Sequence, residues 1–433
     1  MRLYVKYIAF VTCFFLFSVC FLVTRFNALL VDIPNIASKL QKEPHAPLGN
    51  NNDPLILEGS DKRAKFKVSE AGKARSQWYS TMTAVKFSNL SDSILFYSSF
   101  VDYRDGNMGY PYVRTILLKQ VTYTVQLSCR FGETLVEGSL YELAENHLQK
   151  YSTYIFSCKI PESISIDEIQ EWILTDGSNS AILEATYRIP REDSISAYNY
   201  DYSICMPFLY GSLYKGKHLV EFAELNKLLG AQRITIYTHK NSLAESLQKA
   251  LDYYTKERLI EVIEYDLPVK DIWYHGQLVT VTDCLYSIGV TRFLSFHDLD
   301  EFIIPTSMHN LTALFFEIFR GDIASYRIPT RYFRLEEDVP ITLNNKKSVK
   351  KLDPLYTKCV VRPEMIFEQG IHHTSRVIQD RYQCEALSAS LASLHHYKKQ
   401  LSIADRTNEN IERFRQQLNT SYHLALQRIG ILD

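Results

Sequence analysis

The sequence has almost no excess of charge of either sign. Its 433 residues carry 48 Lys and Arg against 49 Asp and Glu, a formal net charge of -1, with no long basic or acidic run. A protein that binds a nucleic-acid backbone needs a surplus of basic residues, so the composition argues against nucleic acid as the main partner. The sequence also lacks a Gly-x-Gly-x-x-Gly motif and a Walker lysine loop, and it therefore supports neither a dinucleotide-binding fold nor a P-loop enzyme.

Cysteines with the spacing of a zinc site are missing too. Of the eight cysteines, Cys13 and Cys20 fall within an apolar N-terminal segment. The other six are an even number, which predicts up to three disulfides in an oxidising compartment, although buried free thiols are the alternative for some of them. These six are Cys129, Cys158, Cys205, Cys284, Cys359 and Cys384.

The apolar N-terminal segment, residues 8–23, carries no charge, and Arg2 and Lys6 precede it. Such a segment is either a cleaved signal peptide or an uncleaved anchor. We favour the anchor, because no clear small-x-small cleavage site follows and Arg25 flanks the segment directly. The predicted organisation therefore begins with a cytoplasmic tail and a signal-anchor helix over residues 1–30. The rest of the chain would lie in the lumen, in agreement with three Asn-x-Ser/Thr sequons at Asn89, Asn310 and Asn419.

Two regions with different residue patterns follow the anchor. Residues 31–82 are polar and interrupted by prolines, with too few large apolar residues for a core, and we interpret them as a flexible stem. Short strand-like runs separated by turns then predict a small all-β domain over residues 83–198. Exposed aromatic residues would make this domain a carbohydrate-binding accessory module; a purely structural domain is the alternative. The predicted strands are residues 93–101, 113–118, 123–127, 154–158 and 185–189.

From residue 199 onward, strand-like and helix-like segments alternate. Predicted helices over residues 217–229 and 277–288 show apolar residues at helical spacing and end at a glycine. The alternation predicts a mixed, mainly parallel sheet with right-handed crossovers, that is, an α/β domain over residues 199–433. A terminal helix is predicted within residues 411–429.

The most informative stretch, residues 292–305, is a short apolar run that ends in three carboxylates. In an extended chain, residues two apart point the same way, so Asp298 and Asp300 can direct oxygen atoms to one point. Magnesium and manganese favour such oxygen ligands and keep positions open for water and substrate phosphates. Two acids at this spacing also occur by chance at solvated strand ends. Their position after a buried strand favours a nucleotide-diphosphate site, because open α/β sheets bind ligands beyond the carboxyl ends of their strands.

Several spaced motifs around this stretch resemble glycosyltransferase family 92. The resemblance covers roughly residues 200–400, and residues 102–105 are similar to an upstream element of the animal members. It implies a GT-A fold, a type II membrane protein of the Golgi, and an inverting transfer of galactose from UDP-galactose, in animals to fucose of N-glycan cores by a β-1,4 linkage. The motifs are His275-Gly276-Gln277, Asp283-Cys284, residues 296–302, Val361-Arg362-Pro363-Glu364, Gly370-Ile371-His372-His373 and His395-His396-Tyr397.

The resemblance also implies roles for individual residues. Asp298 and Asp300 would bind Mn2+ or Mg2+. A late histidine would complete the metal site, either His372 or His373, with His396 as the reserve candidate; a purely structural role is the alternative for each histidine. Arg362 would compensate phosphate charge, although an ion pair with Glu364 explains it equally well. Residues 238–242 differ from the family pattern, which has an acid after the second strand, and this puts recognition of the donor there in doubt. The donor-binding residues are predicted to be Pro207, Gln277, Asp283, Asp298 and Arg362.

An inverting transferase needs one carboxylate to accept the proton of the attacking acceptor hydroxyl. The candidates are Glu336, Glu337 and Glu364, of which at most one would be the base, and Asp338 lies in the same acidic run. An exposed loop of acids can equally be only solvated. Three other functions compete: a non-catalytic, lectin-like membrane protein, a transferase using another UDP-sugar, and a metal-dependent phosphohydrolase.

Overall fold

A computed structural model describes residues 83–84, 86–104, 111–165, 169–210, 214–239, 243–288, 290–336, 338–401 and 404–431. The predicted tail and anchor over residues 1–30 lie outside these ranges, as does the whole of the predicted stem over residues 31–82. Within the described ranges, no helix is both long and apolar enough to cross a membrane.

The described residues contain two largely antiparallel sheets followed by a mixed α/β region. The strands are β1 Thr83–Ala84, β2 Ser88–Ser91, β3 Ile94–Asp102, β4 Tyr112–Gln120, β5 Ser128–Phe131, β6 Thr134–Glu137, β7 Ser139–Glu142, β8 Tyr151–Lys159, β9 Glu171–Thr175, β10 Ser180–Glu184, β11 Tyr187–Ile189, β12 Tyr200–Leu209, β13 Arg233–Thr238, β14 Ile260–Glu264, β15 Thr291–Phe296, β16 Glu301–Pro305, β17 Ile323–Arg334, β18 Lys347–Ser348, β19 Asp353–Val361, β20 Ile366–Gln369, β21 Thr374–Val377, β22 Gln383–Ala386, β23 Ala392–Lys398 and β24 Arg406–Thr407. The α-helices are α1 Gly216–Leu228, α2 Glu245–Lys256, α3 Gln277–Ser287, α4 Leu311–Ile318, α5 Ile341–Asn344 and α6 Arg415–Ile429, and the short 3-10 helices are Glu192–Ser194, Trp273–Gly276, Pro363–Met365 and Glu412–Phe414.

The α/β region is built on a sheet in which β14, β13, β12 and β15 are neighbours, in that order, and all parallel. The chain moves outward from β12 through β13 to β14 and then returns to β15 on the other side of β12. Beyond β15, β19 and β17 pair antiparallel, so the complete sheet is mixed. The predicted mixed α/β class is confirmed. The strand order reverses next to β12, which places the loops after β12 and β15 where open α/β sheets bind ligands.

Helix α3 links the two parts of the molecule, because all eleven of its residues are buried. One hydrophobic core contains Leu278 and Leu285 of α3, Phe296 of the main sheet, and Phe100 and Ile155 of the six-stranded sheet. Helices α1, α2, α4 and α6 cover the opposite face of the main sheet with a second core. The predicted boundary between a β domain and the α/β domain stays a prediction, since the two parts share a core.

The segment from β2 to β11, called the β-rich segment below, folds into a six-stranded and a four-stranded sheet with a third core between them. One sequence prediction here is wrong: residues 123–127 are not a strand, and β5 begins only at Ser128. Residues 123–126 are not buried, so no core holds them in an extended ladder.

Two of the predicted disulfides are present. Cys129–Cys158 joins β5 to β8, and Cys205–Cys284 joins β12 to α3. Of the remaining pair, Cys359 is a buried free thiol and Cys384 is exposed. The second disulfide fixes α3 beside the strand that precedes the ligand-binding edge of the sheet.

Candidate active site

The candidate site is the turn between β15 and β16, residues 297–300, called the acidic loop below together with Glu301. Hydrogen bonds inside the turn fix its shape. The Glu301 carboxylate accepts the Asp298 N–H at 3.0 Å, and His297 Nδ1 lies 2.9 Å from the Glu301 carbonyl oxygen. Since β15 runs parallel to β12, this turn lies at the carboxyl edge of the parallel strands.

Lys358 of β19 reaches the acidic loop from the neighbouring antiparallel strand. Its ammonium Nζ lies 3.1 Å from Asp298 Oδ2 and 3.2 Å from Glu301 Oε2, and only 3% of its side chain is exposed. Burial opposes the charge on Lys358, but the two carboxylates raise its pKa above its ordinary value. Burial also opposes the charge on Glu301 and by itself would raise its pKa. Lys358 and His396 outweigh this effect and hold the pKa of Glu301 below its usual range. Lys358 and Glu301 therefore form a buried ion pair beneath Asp298.

Asp300 lies on the other side of the loop, beside His396 of β23. His396 Nδ1 is 3.1 Å from Glu301 Oε1, while Nε2 is 3.8 Å from Asp300 Oδ2. Burial lowers the pKa of His396, which favours the neutral imidazole. Burial and the charges of Glu301 and Asp298 raise the pKa of Asp300 to about 7. Lys358 thus pairs with Asp298 and Glu301, and the nearby carboxylates disfavour the ionised form of Asp300.

This donor set suits a hard divalent cation. No group of three or more His, Cys, Asp and Glu side chains is already assembled as a metal site in the part of the chain that the structure describes. Magnesium and manganese, however, are often held by one or two carboxylates, with water and substrate phosphates completing the shell. Asp298 and Asp300 therefore fit such a cation, and its charge would offset the excess of carboxylates.

Two cavities open on the two sides of the acidic loop. The smaller, about 230 Å³, is lined by Asp298, Glu301 and Lys358, and we call it the Asp298 cavity. Its other walls are largely aromatic and include Trp273, Tyr274, Gln277, Tyr332, Tyr356, Ile371 and His372. The larger, about 750 Å³, is the Asp300 cavity, and its lining includes Tyr214, Lys215, Lys217, Asp300, Glu336, Asp338 and Lys399. His396 and Lys398 line both cavities, so the two spaces adjoin at the loop.

The aromatic wall of the Asp298 cavity is held in an unusual backbone conformation. Tyr274 and His275 both have left-handed backbone, with φ of 42° and 57°, directly before α3. Bulky residues rarely adopt this conformation, and such strain clusters at functional sites. About half of the Tyr274 side-chain surface faces solvent, and Tyr356 is similarly exposed. Aromatic faces that remain open in this way can stack on a planar or ring-shaped ligand.

The structure places the predicted donor-binding residues at different depths. Gln277 lines the Asp298 cavity and is buried, and its Oε1 has no hydrogen-bond partner among the described residues. Asp283 lies deeper, inside the core, where it accepts a hydrogen bond from the Tyr237 hydroxyl at 2.6 Å. Pro207 is buried at a register shift of β12, the strand that pairs with β15, and His297 directly follows β15. Gln277 and Asp298 thus line the same cavity, while Asp283 lies in the core and does not line it.

Of the three candidate metal histidines, the one held in reserve contacts the acidic loop. His372 lines the Asp298 cavity, but its Nδ1 lies 3.1 Å from the Thr357 carbonyl oxygen. His373 is half exposed and lies 3.2 Å from Glu145 of the β-rich segment. The distances therefore favour His396 as the histidine next to Asp300.

Arg362 and Glu364 are not brought to the acidic loop. They follow β19, which runs antiparallel to β15 with Val361 opposite Leu294, so they lie towards the start of β15. Arg362 donates to the carbonyls of Gly321 and Phe319, and Glu364 accepts from the Tyr198 hydroxyl at 3.1 Å. Burial raises the pKa of Glu364 to about 7. The proposed ion pair between Arg362 and Glu364 is not among these contacts.

The other candidate bases lie in the loop after β17. Glu336 lines the Asp300 cavity and pairs with Arg334 at 3.3 Å and Lys347 at 3.8 Å. Asp338 lines the same cavity and pairs with Lys217. Glu337 lies outside the described residues. Of the two predicted bases that the structure describes, Glu336 is therefore the one that lines the same cavity as Asp300.

Sequence reasoning missed Lys358, Trp273 and Tyr274. The signal for Lys358 was a single charged residue at the head of the buried run 359–361. For Trp273 and Tyr274 it was a pair of large aromatic residues directly before a motif at the start of a helix.

Comparison with known proteins gives three findings. A family model described as glycosyltransferase family 92 matches residues 200–429. The chain is 38% identical over 363 residues to beta-1,4-galactosyltransferase galt-1 of Caenorhabditis elegans, covering 81% of this chain and 84% of that protein. Among solved structures it is similar to glucosyl-3-phosphoglycerate synthase from Mycobacterium tuberculosis, with 12% identity, 54% of this chain and 82% of that chain covered, and a TM-score of 0.27. A second solved structure, described as a mycobacterial protein, has 13% identity and a TM-score of 0.26. The similarity covers 54% of this chain and 76% of that chain.

Proposed function

The chain belongs to glycosyltransferase family 92, and from that premise we propose that it transfers galactose from UDP-galactose to a glycan acceptor, with inversion at the anomeric carbon. The proposed acceptor is fucose of N-glycan cores, and the proposed linkage is β-1,4. The nematode relative is named a beta-1,4-galactosyltransferase, and this name supports the proposed sugar and linkage. The single observation that carries the proposal is the acidic loop with a cavity on each side.

The donor is assigned to the Asp298 cavity. The aromatic side chains of Tyr274 and Tyr356 offer faces to a ring, and the orphaned Gln277 Oε1 offers an acceptor for a hydroxyl or N–H of the ligand. Lys358 contributes a buried ammonium at the edge of this cavity, where the donor phosphates would lie. The order of parallel strands, with its reversal next to β12, supports a GT-A type of donor site.

Asp298 and Asp300 are the proposed ligands of Mn2+ or Mg2+, and His396 is their neighbour. When bound, the cation would supply electrostatic stabilisation of the departing diphosphate. Glu301 and Lys358 hold Asp298 in place from below, and Glu301 orients His396 through Nδ1, so that Nε2 faces Asp300. These residues keep the loop in one geometry without the donor.

The acceptor is assigned to the Asp300 cavity. Its volume of about 750 Å³ suits a glycan better than the smaller cavity does. Glu336 is the proposed base: it would accept the proton of the attacking hydroxyl while the bond between the anomeric carbon and the diphosphate breaks.

The proposed location is the Golgi membrane, with the chain anchored as a type II protein and the active site in the lumen. Support comes from the apolar residues 8–23 and from the two disulfides, since disulfides persist in oxidising compartments.

The proposal is tested with the purified full chain in detergent. UDP-galactose, UDP-glucose and UDP-N-acetylglucosamine would be offered with N-glycans that carry or lack core fucose, with Mn2+ and with chelator, and both UDP release and the product linkage would be measured. We expect transfer from UDP-galactose that needs Mn2+ and core fucose. Transfer from another UDP-sugar would show that the donor is not UDP-galactose. Absence of any UDP release would contradict the proposed transferase activity.

A further inference from the structure

The β-rich segment contacts residues that line the Asp298 cavity through residues 141–151, which we call the 141–151 connection. It comprises the end of β7, the loop that follows, and the first residue of β8. Its backbone leaves the extended conformation at His147 and Leu148, which have left-handed φ of 51° and 56°. Asn146 fixes the turn, because it donates to the Leu143 carbonyl at 2.6 Å and accepts from the Thr153 N–H at 2.9 Å. The connection is therefore a shaped loop that points towards the active site.

One wall is held by Glu145. Its carboxylate accepts the Ile371 N–H at 2.7 Å and lies 3.2 Å from His373 Nδ1, on both sides of His372. Only 14% of the Glu145 side chain is exposed. Ile371 and His372 line the Asp298 cavity, so Glu145 fixes the backbone that carries them.

The approach of Glu145 depends on a glycine. A Cβ atom at Gly370 would lie 2.9 Å from Glu145 Oε1 and 2.9 Å from Ser375 Oγ, closer than ordinary side-chain contacts allow. A second carboxylate strengthens the same wall, because Glu368 is fully buried and accepts the Ala144 N–H and the Tyr141 hydroxyl, each at 2.7 Å.

The opposite wall is held by His147 and Tyr151. The Tyr151 N–H donates to the Asp271 carbonyl at 3.0 Å, two residues before Trp273. The His147 ring lies 4.2 Å from the Trp273 ring. Trp273 and Tyr274 form the aromatic side of the cavity, so the 141–151 connection supports that side as well.

We propose that the 141–151 connection sets the width of the donor cavity, and that Glu145 is a positioning residue for donor binding. The β-rich segment is then a part of the active site and not an accessory to it. This inference rests on the proposed function, which assigns the Asp298 cavity to the donor. Glu145 touches no reacting atom; it fixes Ile371 and His372 relative to Trp273, and a displaced wall weakens every contact with the ligand.

The test uses the full chain in detergent with UDP as the probe. The dissociation constant of UDP in Mn2+ would be measured by calorimetry, and KM for UDP-galactose and for the acceptor would be measured by transfer assay. The variants are Glu145→Ala, Glu145→Gln, which keeps an oxygen for the Ile371 N–H, and Gly370→Ala, which acts from the other side of the contact. Glu137→Ala, an exposed carboxylate of β6, is the matched control.

We expect Glu145→Ala and Gly370→Ala to weaken UDP binding about tenfold and to raise the donor KM by a similar factor, with acceptor KM and melting temperature close to wild type. Glu145→Gln should recover part of the affinity, and Glu137→Ala should match wild type. Unchanged UDP affinity, or a lower melting temperature with unchanged affinity, overturns the inference. A rise in acceptor KM alone overturns the assignment of the cavity. Absence of UDP binding by the wild-type chain overturns the proposed function itself.

Discussion

Lys358 Nζ lies 3.1 Å from Asp298 Oδ2, although Lys358 belongs to β19 and Asp298 follows β15, which runs in the opposite direction. The ammonium also reaches Glu301 at 3.2 Å, and it is almost completely buried. A buried charge is tolerated only when it is paired, so Lys358 and the carboxylates depend on one another. The acidic loop is therefore stabilised from below by the protein's own cation before any substrate is present.

Replacing Lys358 with Met should destabilise the protein. The variant leaves Asp298 and Glu301 without their ammonium, and breaking a buried pair in this way costs about 3 to 5 kcal/mol. The free energy of unfolding, from denaturant titration followed by fluorescence, measures the effect. Lys347→Met is the control, because Lys347 is mostly exposed and its contact with Glu336 is at 3.8 Å. A Lys358→Met variant as stable as wild type would show that the pair does not form.

Replacing Asp300 with Ala should abolish transfer and leave the chain folded. Asp300 is one of the two proposed cation ligands, and its side chain borders the Asp300 cavity and not the hydrophobic core. Mn2+ binding, measured by electron paramagnetic resonance of the free ion, should fall at least about tenfold. Asp193→Ala changes an exposed acid of the 3-10 helix Glu192–Ser194 and should bind Mn2+ like wild type. An active, Mn2+-responsive Asp300→Ala variant would contradict the metal assignment.

The two described candidates for the base should behave differently. Glu336→Gln should lower kcat by about 10²- to 10⁴-fold, because it removes the proposed proton acceptor from the Asp300 cavity. Glu364→Gln should leave kcat within about twofold, because Glu364 lies towards the start of β15, away from the loop. Both rates would be measured at saturating donor and acceptor. The reverse pattern would place the reaction at the other end of the strand.

Glu221 of α1 should make stability depend on pH. Burial raises its pKa to about 7, although it accepts hydrogen bonds from Thr342 and Ile341. Since its folded pKa lies above the ordinary value of 4.5, the protonated form stabilises the fold below pH 4.5, and this stabilisation is lost as pH rises through about 7. Relative to Glu221→Gln, the unfolding free energy of the wild type should fall across this window by at most about 3 kcal/mol. Parallel stability curves for the two proteins would rule this out.

The sequence predicted the part of the site that one strand supplies. Asp298 and Asp300 follow β15, and the alternation of helices and strands was enough to place that strand's end at the ligand-binding edge. The partners Lys358 and His396 come from β19 and β23, and their approach depends on strand pairings that a single sequence does not specify.

The same limit explains the positions of Arg362 and Glu364. The sequence shows that they follow a strand, but not that this strand runs antiparallel to β15 and so ends at the opposite edge of the sheet. The contact between Glu145 and Ile371 joins residues 226 positions apart, and no periodicity or motif in the chain indicates it.

Helix α3 is buried on every side because the β-rich segment covers the face that the main sheet leaves open. The match to the family model begins at residue 200 and therefore leaves out the β-rich segment that covers α3. A chain trimmed to this match would expose the apolar side chains of Leu278 and Leu285 to water and would lose the Glu145 contact to Ile371. The stretch by which the family is recognised is thus smaller than the fragment that would keep its own apolar side chains out of water.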